Sequence, residues 1–117
     1  MARKKIVVVD PRKMKWEPID DPKCDKRVWA KLLWTDKKTG AVAVLAKFPK
    51  GFHEDRHKHP SDGHVLVLEG KLVDEKGNEI KKGMYWFVPA GVEHGDRSID
   101  HAPEGCVAFI YFNGPPQ

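Results

Sequence analysis

Six histidines occur, at positions 53, 57, 59, 64, 94 and 101, all in one half of a 117-residue chain. His57 and His59 stand two apart at an expected strand start. The two-residue period of a strand puts both imidazoles on one face. Two neutral imidazoles on one face are half of a site for a borderline metal ion. A third ligand must come from elsewhere, and His94 is the candidate, because it follows an expected strand and the turn Pro89-Ala90-Gly91. By itself His-x-His equally fits two surface histidines in a polar loop, so the decision rests on what surrounds the pair.

The surroundings read as short strands. Ile6 to Val9 is a β-branched run, and Val28 to Trp34 is a second apolar stretch. A polar turn ending in Gly40 leads to Ala41 to Phe48, with Val42, Val44, Ala46 and Phe48 two apart, which predicts a hairpin. Val65 to Leu68 continues past Gly70 to Val73, then come Ile80, the aromatic run Met84 to Val88, and Cys106 to Phe112. Residues 10 to 27, with three prolines, read as irregular. No stretch carries apolar residues at helical spacing over three turns. Many short strands with turn signals between them predict an all-β barrel or sandwich. The length suits one domain over residues 1–117, with an N-terminal extension over 1–27 and a barrel core over about 28–113.

Two stretches then carry a resemblance. Gly51 is followed after five residues by His57-Lys58-His59, and Gly83 leads through Pro89 and Gly91 to His94. These resemble the two motifs of the cupin superfamily, G-x5-H-x-H-x3-4-E-x6-G and G-x5-P-x-G-x2-H-x3-N. The resemblance implies a single-domain cupin β-barrel (double-stranded β-helix, or jelly roll) with an N-terminal strand extension. It implies a metal ion held by His57, His59 and His94.

Two departures matter. Counting back from Gly70, the first motif's glutamate falls on Gly63, which cannot ligate, and the second motif's asparagine falls on Ser98. His64 adjoins the lost carboxylate. It is a candidate fourth ligand, a group at the cavity mouth, or an exposed histidine. A one-residue shift argues for the opposite face, whereas a bulge at Gly63 would restore it. Without the glutamate the ion would keep its full charge and favour an anionic, oxygen-donating substrate. Trp86, Phe87 and His101 are candidate cavity-lining residues, with Trp86 and Phe87 alternating so that one faces inward; the bland reading of His101 is a surface residue. His53, Glu54 and Asp55 read as a solvated charged loop, and Glu93 as a loop carboxylate.

The pattern His-x-His-Pro-x-x-Gly-His with Leu68-Glu69-Gly70 is similar to one cupin subgroup. That subgroup holds the cupin domains of zinc-binding anti-sigma factors and small three-histidine dioxygenases that cleave diketones. The chain shows no helical domain ahead of the barrel, which argues against the anti-sigma role. The resemblance implies a metal-dependent oxygenase or lyase for a small oxygenated molecule, using Fe(II) or Zn(II), with Ni, Cu and Mn also compatible. The alternative is a non-catalytic metal- or ligand-sensing module, which a closed ligand shell through His64 would favour. A metal-free isomerase or lectin-like binder is a third.

Charge and composition exclude other classes. The net charge of +4 comes from 21 basic residues interleaved with 17 acidic ones, which reads as a solvated surface and not a nucleic-acid footprint. No apolar run is long enough to span a membrane, and the expected location is cytoplasmic. Cys24 and Cys106 are expected as reduced thiols. A homodimer is expected, with Ile6 to Val9 adding to a partner's edge.

Overall fold

The computed structural model describes residues 4–117. Seven strands are formed among the described residues: β1 (Glu17–Ile19), β2 (Val28–Thr35), β3 (Val42–Phe48), β4 (Gly63–Val73), β5 (Glu79–Lys81), β6 (Tyr85–Val88) and β7 (Cys106–Phe112). All pairings are antiparallel, in the order β1-β2-β3-β7-β4-β5, with β6 alongside β4. The chain is a jelly roll: the strand pattern predicted its all-β class, and the resemblance implied the jelly roll.

Alternation along the central strands decides what faces inward. In the ladders, Val42, Val44, Ala46 and Phe48 of β3 oppose Phe112, Ile110, Ala108 and Cys106 of β7. Those in turn oppose Gly63, Val65, Val67 and Gly70 of β4, which opposes Val88 and Trp86 of β6. This face meets Val28, Phe52, Leu72 and Ile80 in one core, in which Phe52 and Val67 are the large side chains closed off from solvent. Burying each such side chain is worth about 1.5–3 kcal/mol.

Gly70 marks where β4 and β7 close in. Its φ is +69°, and a Cβ there would stand 2.1 Å from the Gly105 carbonyl oxygen. Only glycine accepts both the conformation and the contact.

The ladder does not run round into a closed cylinder, as a barrel reading would have it. Isolated bridges join the loops instead: Cys24 with Glu54, Phe52 with Ala102, and His57 with His94. Three further expectations are corrected. Ile6 to Val9 forms no strand, and Ile6 and Val8 stand 96% and 90% exposed; β propensity needs a partner edge, and none lies beside this run. Residues 10 to 27 are not wholly irregular, because β1 pairs with β2, Pro18 being tolerated on a sheet edge. His57 sits on an isolated bridge and His59 in the irregular segment after it, not on a strand start. No helix among the described residues is long and apolar enough to cross a membrane.

Candidate metal centre

The inner faces enclose a cavity of about 280 Å³. Its walls are apolar, supplied by Val42, Val44, Phe48, Val65, Trp86, Ile110 and Phe112. Its polar lining includes His57, His59 and His94. His57 and His94 pair through both backbone hydrogen bonds, each N–H donating to the other's carbonyl at 2.8 Å. The Gly91 N–H donates to the His59 carbonyl at 2.9 Å. Gly91 has a φ of +76°, so the Pro-Ala-Gly turn folds the distant segment back against the pair, as its sequence suggested.

The three side chains converge. Ring centroids lie 4.8 Å apart for His57 and His59, 4.3 Å for His57 and His94, and 5.0 Å for His59 and His94. One nitrogen from each falls within 4.8 Å of the others. The outer nitrogens of the first two are committed. His57 Nδ1 donates to the Asp55 carbonyl at 2.6 Å, and His59 Nδ1 donates to the Pro116 carbonyl at 2.7 Å. A neutral imidazole carries one proton, so both Nε2 atoms present lone pairs. Those two Nε2 atoms face each other at 3.2 Å. Both nitrogens of His94 are buried with no hydrogen-bond partner.

Electrostatics reinforce the neutral state. Burial, helped by His57 and His59, pushes the His94 imidazole down to about 3, and burial lowers His59 as well. Facing lone pairs and orphaned ring nitrogens in a largely apolar cavity are what a divalent cation would satisfy. The residues fit such an ion, and imidazoles leave its identity open among Fe, Zn, Ni and Cu.

His64 stands apart from this cluster. The bulge that would turn it inward does not occur at Gly63. The register shift falls between Val67 and Glu69, beyond it. His64 therefore pairs across the sheet with Phe87 and Tyr111, donating to or accepting from the Tyr85 hydroxyl at 2.5 Å, its ring packed on the aromatic rings of Tyr85, Phe87 and Tyr111. Phe87 shares that outer face and does not line the cavity, whereas Trp86 does, meeting the His94 ring edge-on at 5.8 Å.

His101 lines the cavity and is buried, not a surface residue. Its ring is spent on structure, with Nδ1 donating to the Val73 carbonyl at 2.7 Å and Nε2 accepting from the Asp96 N–H at 3.1 Å. His53 Nδ1 donates to the Arg97 carbonyl at 3.0 Å, and Glu93 pairs with Arg56 on the surface.

Glu54 is the residue the sequence reading misplaced. It is no solvated loop carboxylate but part of the cavity wall. Its Oε2 lies 3.9 Å from His57 Nε2 and its Oε1 3.9 Å from His94 Nδ1. Burial, with the nearby Asp21, pushes its carboxyl up to about 7. The one available signal was parity: Phe52 and Glu54 are two apart, and Phe52 is an obvious core residue.

Comparison with known proteins now decides the family. The ChrR cupin-like domain matches residues 4–114. The chain belongs to that family. Solved cupins share its fold at low identity. A candidate acetylacetone dioxygenase of Methylibium petroleiphilum PM1 superposes with a TM-score of 0.83 at 18% identity, over 97% of this chain and 81% of its own. The acetylacetone dioxygenase of Acinetobacter johnsonii gives 0.76 at 18% identity, over 97% and 76%. The polyketide cyclase RemF of Streptomyces resistomycificus gives 0.73 at 19%, over 92% and 79%. No curated protein matches the sequence. Cupins of this shape therefore include different chemistries, and fold alone does not choose among them.

Proposed function

We propose that this cupin binds one divalent metal ion through His57, His59 and His94 and acts on a small oxygen-bearing organic molecule as an oxygenase or lyase. The observation that carries the reading is the pair of Nε2 lone pairs facing each other at 3.2 Å, both rings having given their Nδ1 protons to backbone carbonyls. When bound, the ion would supply Lewis acidity and, if it is iron, redox chemistry with O2.

The chain's own residues supply the rest. The Asp55 and Pro116 carbonyls hold two rings in orientation, and Trp86 packs against the third. The apolar walls exclude water and accept a hydrocarbon body. Among the described residues no lysine or arginine lines the cavity, while Asp21, Glu54 and Glu75 do. This revises the expected substrate: an uncharged molecule suits the cavity better than an anion.

Metal analysis of the purified protein, followed by O2 uptake with Fe(II)-loaded protein, tests the reading. Uptake with neutral dicarbonyl compounds and none with dicarboxylates is the expected result. Failure of metal-free protein to take up any of Fe(II), Zn(II), Ni(II) or Cu(II) overturns it. A non-catalytic sensing module is the second reading, favoured by the carboxylate of Glu54 beside the histidines, since a fourth donor closes a tetrahedral site. Stoichiometric metal without turnover of any substrate supports that reading. Self-association is proposed separately, from the exposed Ile6–Val9 run and the exposed Leu66, Tyr85 and Phe87, and sedimentation tests it.

A further inference from the structure

One carboxylate is aimed at the histidines from a place the motif does not provide for. The motif's glutamate position, Gly63, does face inward, but its space is taken. A Cβ there would stand 2.9 Å from Cε1 of Phe112, whose ring also packs on His59 at 5.1 Å. A side chain on that strand position would have to displace this ring to reach the cluster.

Glu54 reaches it from the other side, out of the segment that precedes His57. That segment is clamped by the N-terminal extension: the Asp55 N–H donates to the Lys23 carbonyl at 2.7 Å, and the Asp25 N–H donates to the His53 carbonyl at 3.0 Å. The clamp fixes the backbone on both sides of Glu54. Its side chain is 17% exposed, lines the cavity and accepts no hydrogen bond from any described residue. His57 Nε2 and His94 Nδ1 each lie 3.9 Å from one of its oxygens.

A buried carboxylate without donors is costly. The Nε2 of His57 cannot help it, because its lone pair points the same way. A cation among the imidazoles settles both groups at once. Donor atoms about 2.1 Å from one ion lie about 3–4.2 Å from each other. The observed 3.2 Å between the two Nε2 atoms and 3.9 Å from His57 Nε2 to the carboxylate fall in that range, whereas Glu54 stands outside the trio of imidazole nitrogens gathered within 4.8 Å, so its side chain would turn further inward to complete the shell.

We propose that Glu54 is the fourth protein ligand of the ion held by His57, His59 and His94, supplied from before the histidine pair instead of from the strand after it. The proposal rests on the metal-binding reading above. It gives a three-nitrogen, one-oxygen shell and lowers the net charge of the centre from that of a bare divalent ion by one. A centre so neutralised attracts anions less, in keeping with a cavity that offers an anion no lysine or arginine. A six-coordinate ion keeps two open positions, and a four-coordinate ion keeps none.

The test titrates metal-free protein with Co(II), followed by visible absorption, and with Zn(II) against a chromophoric chelator. The wild type is expected to bind one equivalent. Glu54→Gln is expected to bind at least about tenfold more weakly, with altered Co(II) bands. Affinity within about twofold of wild type and a superimposable Co(II) spectrum overturn the ligand assignment and leave the three-histidine site standing. A wild type that binds neither ion overturns the metal-binding reading itself, and this proposal with it. Metal-free Glu54→Gln is expected to melt no lower than metal-free wild type, because it removes an unpaired carboxylate. If the variant does not fold, a crystal structure of Zn(II)-loaded wild type decides. A Glu54 oxygen at about 2.0–2.2 Å from the ion supports the proposal, and one beyond about 3 Å overturns it.

Discussion

His64 and Val65 are neighbours in β4, yet they belong to different chemistries. Val65 faces the cavity among Trp86 and Ile110, and His64 faces outward among Tyr85, Phe87 and Tyr111. Both faces carry histidine beside aromatic rings. On the inner face ring nitrogens are buried, aimed at one another and starved of partners. On the outer face the imidazole has a hydroxyl partner and access to solvent. Residue type alone therefore does not set the two faces apart. Parity and desolvation do.

Four experiments can break or sharpen this contrast. The largest effect concerns the two thiols, both on the inner side. Burial pushes Cys24 and Cys106 up to about 12. Their thiolate fraction at mildly alkaline pH is then about a thousandfold below that of an ordinary cysteine. A disulfide reagent at pH 8 should label neither in folded protein and both in guanidinium chloride. Fast labelling of the native state would show that the inner face is open to water.

Next comes packing. Phe52→Ala removes a fully buried ring and is expected to cost about 3–5 kcal/mol, whereas Phe87→Ala on the outer face should cost under about 1 kcal/mol. Urea denaturation of both variants measures the difference. Metal affinity follows. His94→Ala is expected to weaken binding by about a hundredfold or more, and His64→Ala by less than about threefold. Equal losses would mean that His64 reaches the ion after all. The smallest effect is Tyr85→Phe, which deletes the hydroxyl bonded to His64. It should cost about 0.5–1 kcal/mol by thermal melting and leave metal content unchanged.

Much of this was legible in the residues. Alternating Val42, Val44, Ala46 and Phe48 announced β3, and Cys106 to Phe112 is β7 to the residue. Gly83, Pro89 and Gly91 placed His94, because turn chemistry is local. What stayed hidden depends on partners far away in the chain. Ile6 to Val9 has strand composition but no edge to join. Pro18 entered a strand because β2 offers an edge where its missing N–H is not needed. The burial of Glu54 follows from its pairing with Cys24, and that of His101 from its bonds to Val73 and Asp96. A charged residue in a charged stretch gives no local sign of such long-range contacts.

The bond from His59 to the Pro116 carbonyl ties the ring to a residue 57 positions further on. During synthesis at about 5–20 residues per second, roughly 3–11 s separate the two. Through that interval the imidazole has no carbonyl to set its tautomer. Under the proposed metal-binding role, selective capture of an ion would belong to the finished jelly roll and not to the nascent chain. The cell's pool of free metal at the moment of completion, more than at initiation, would decide which ion the protein carries.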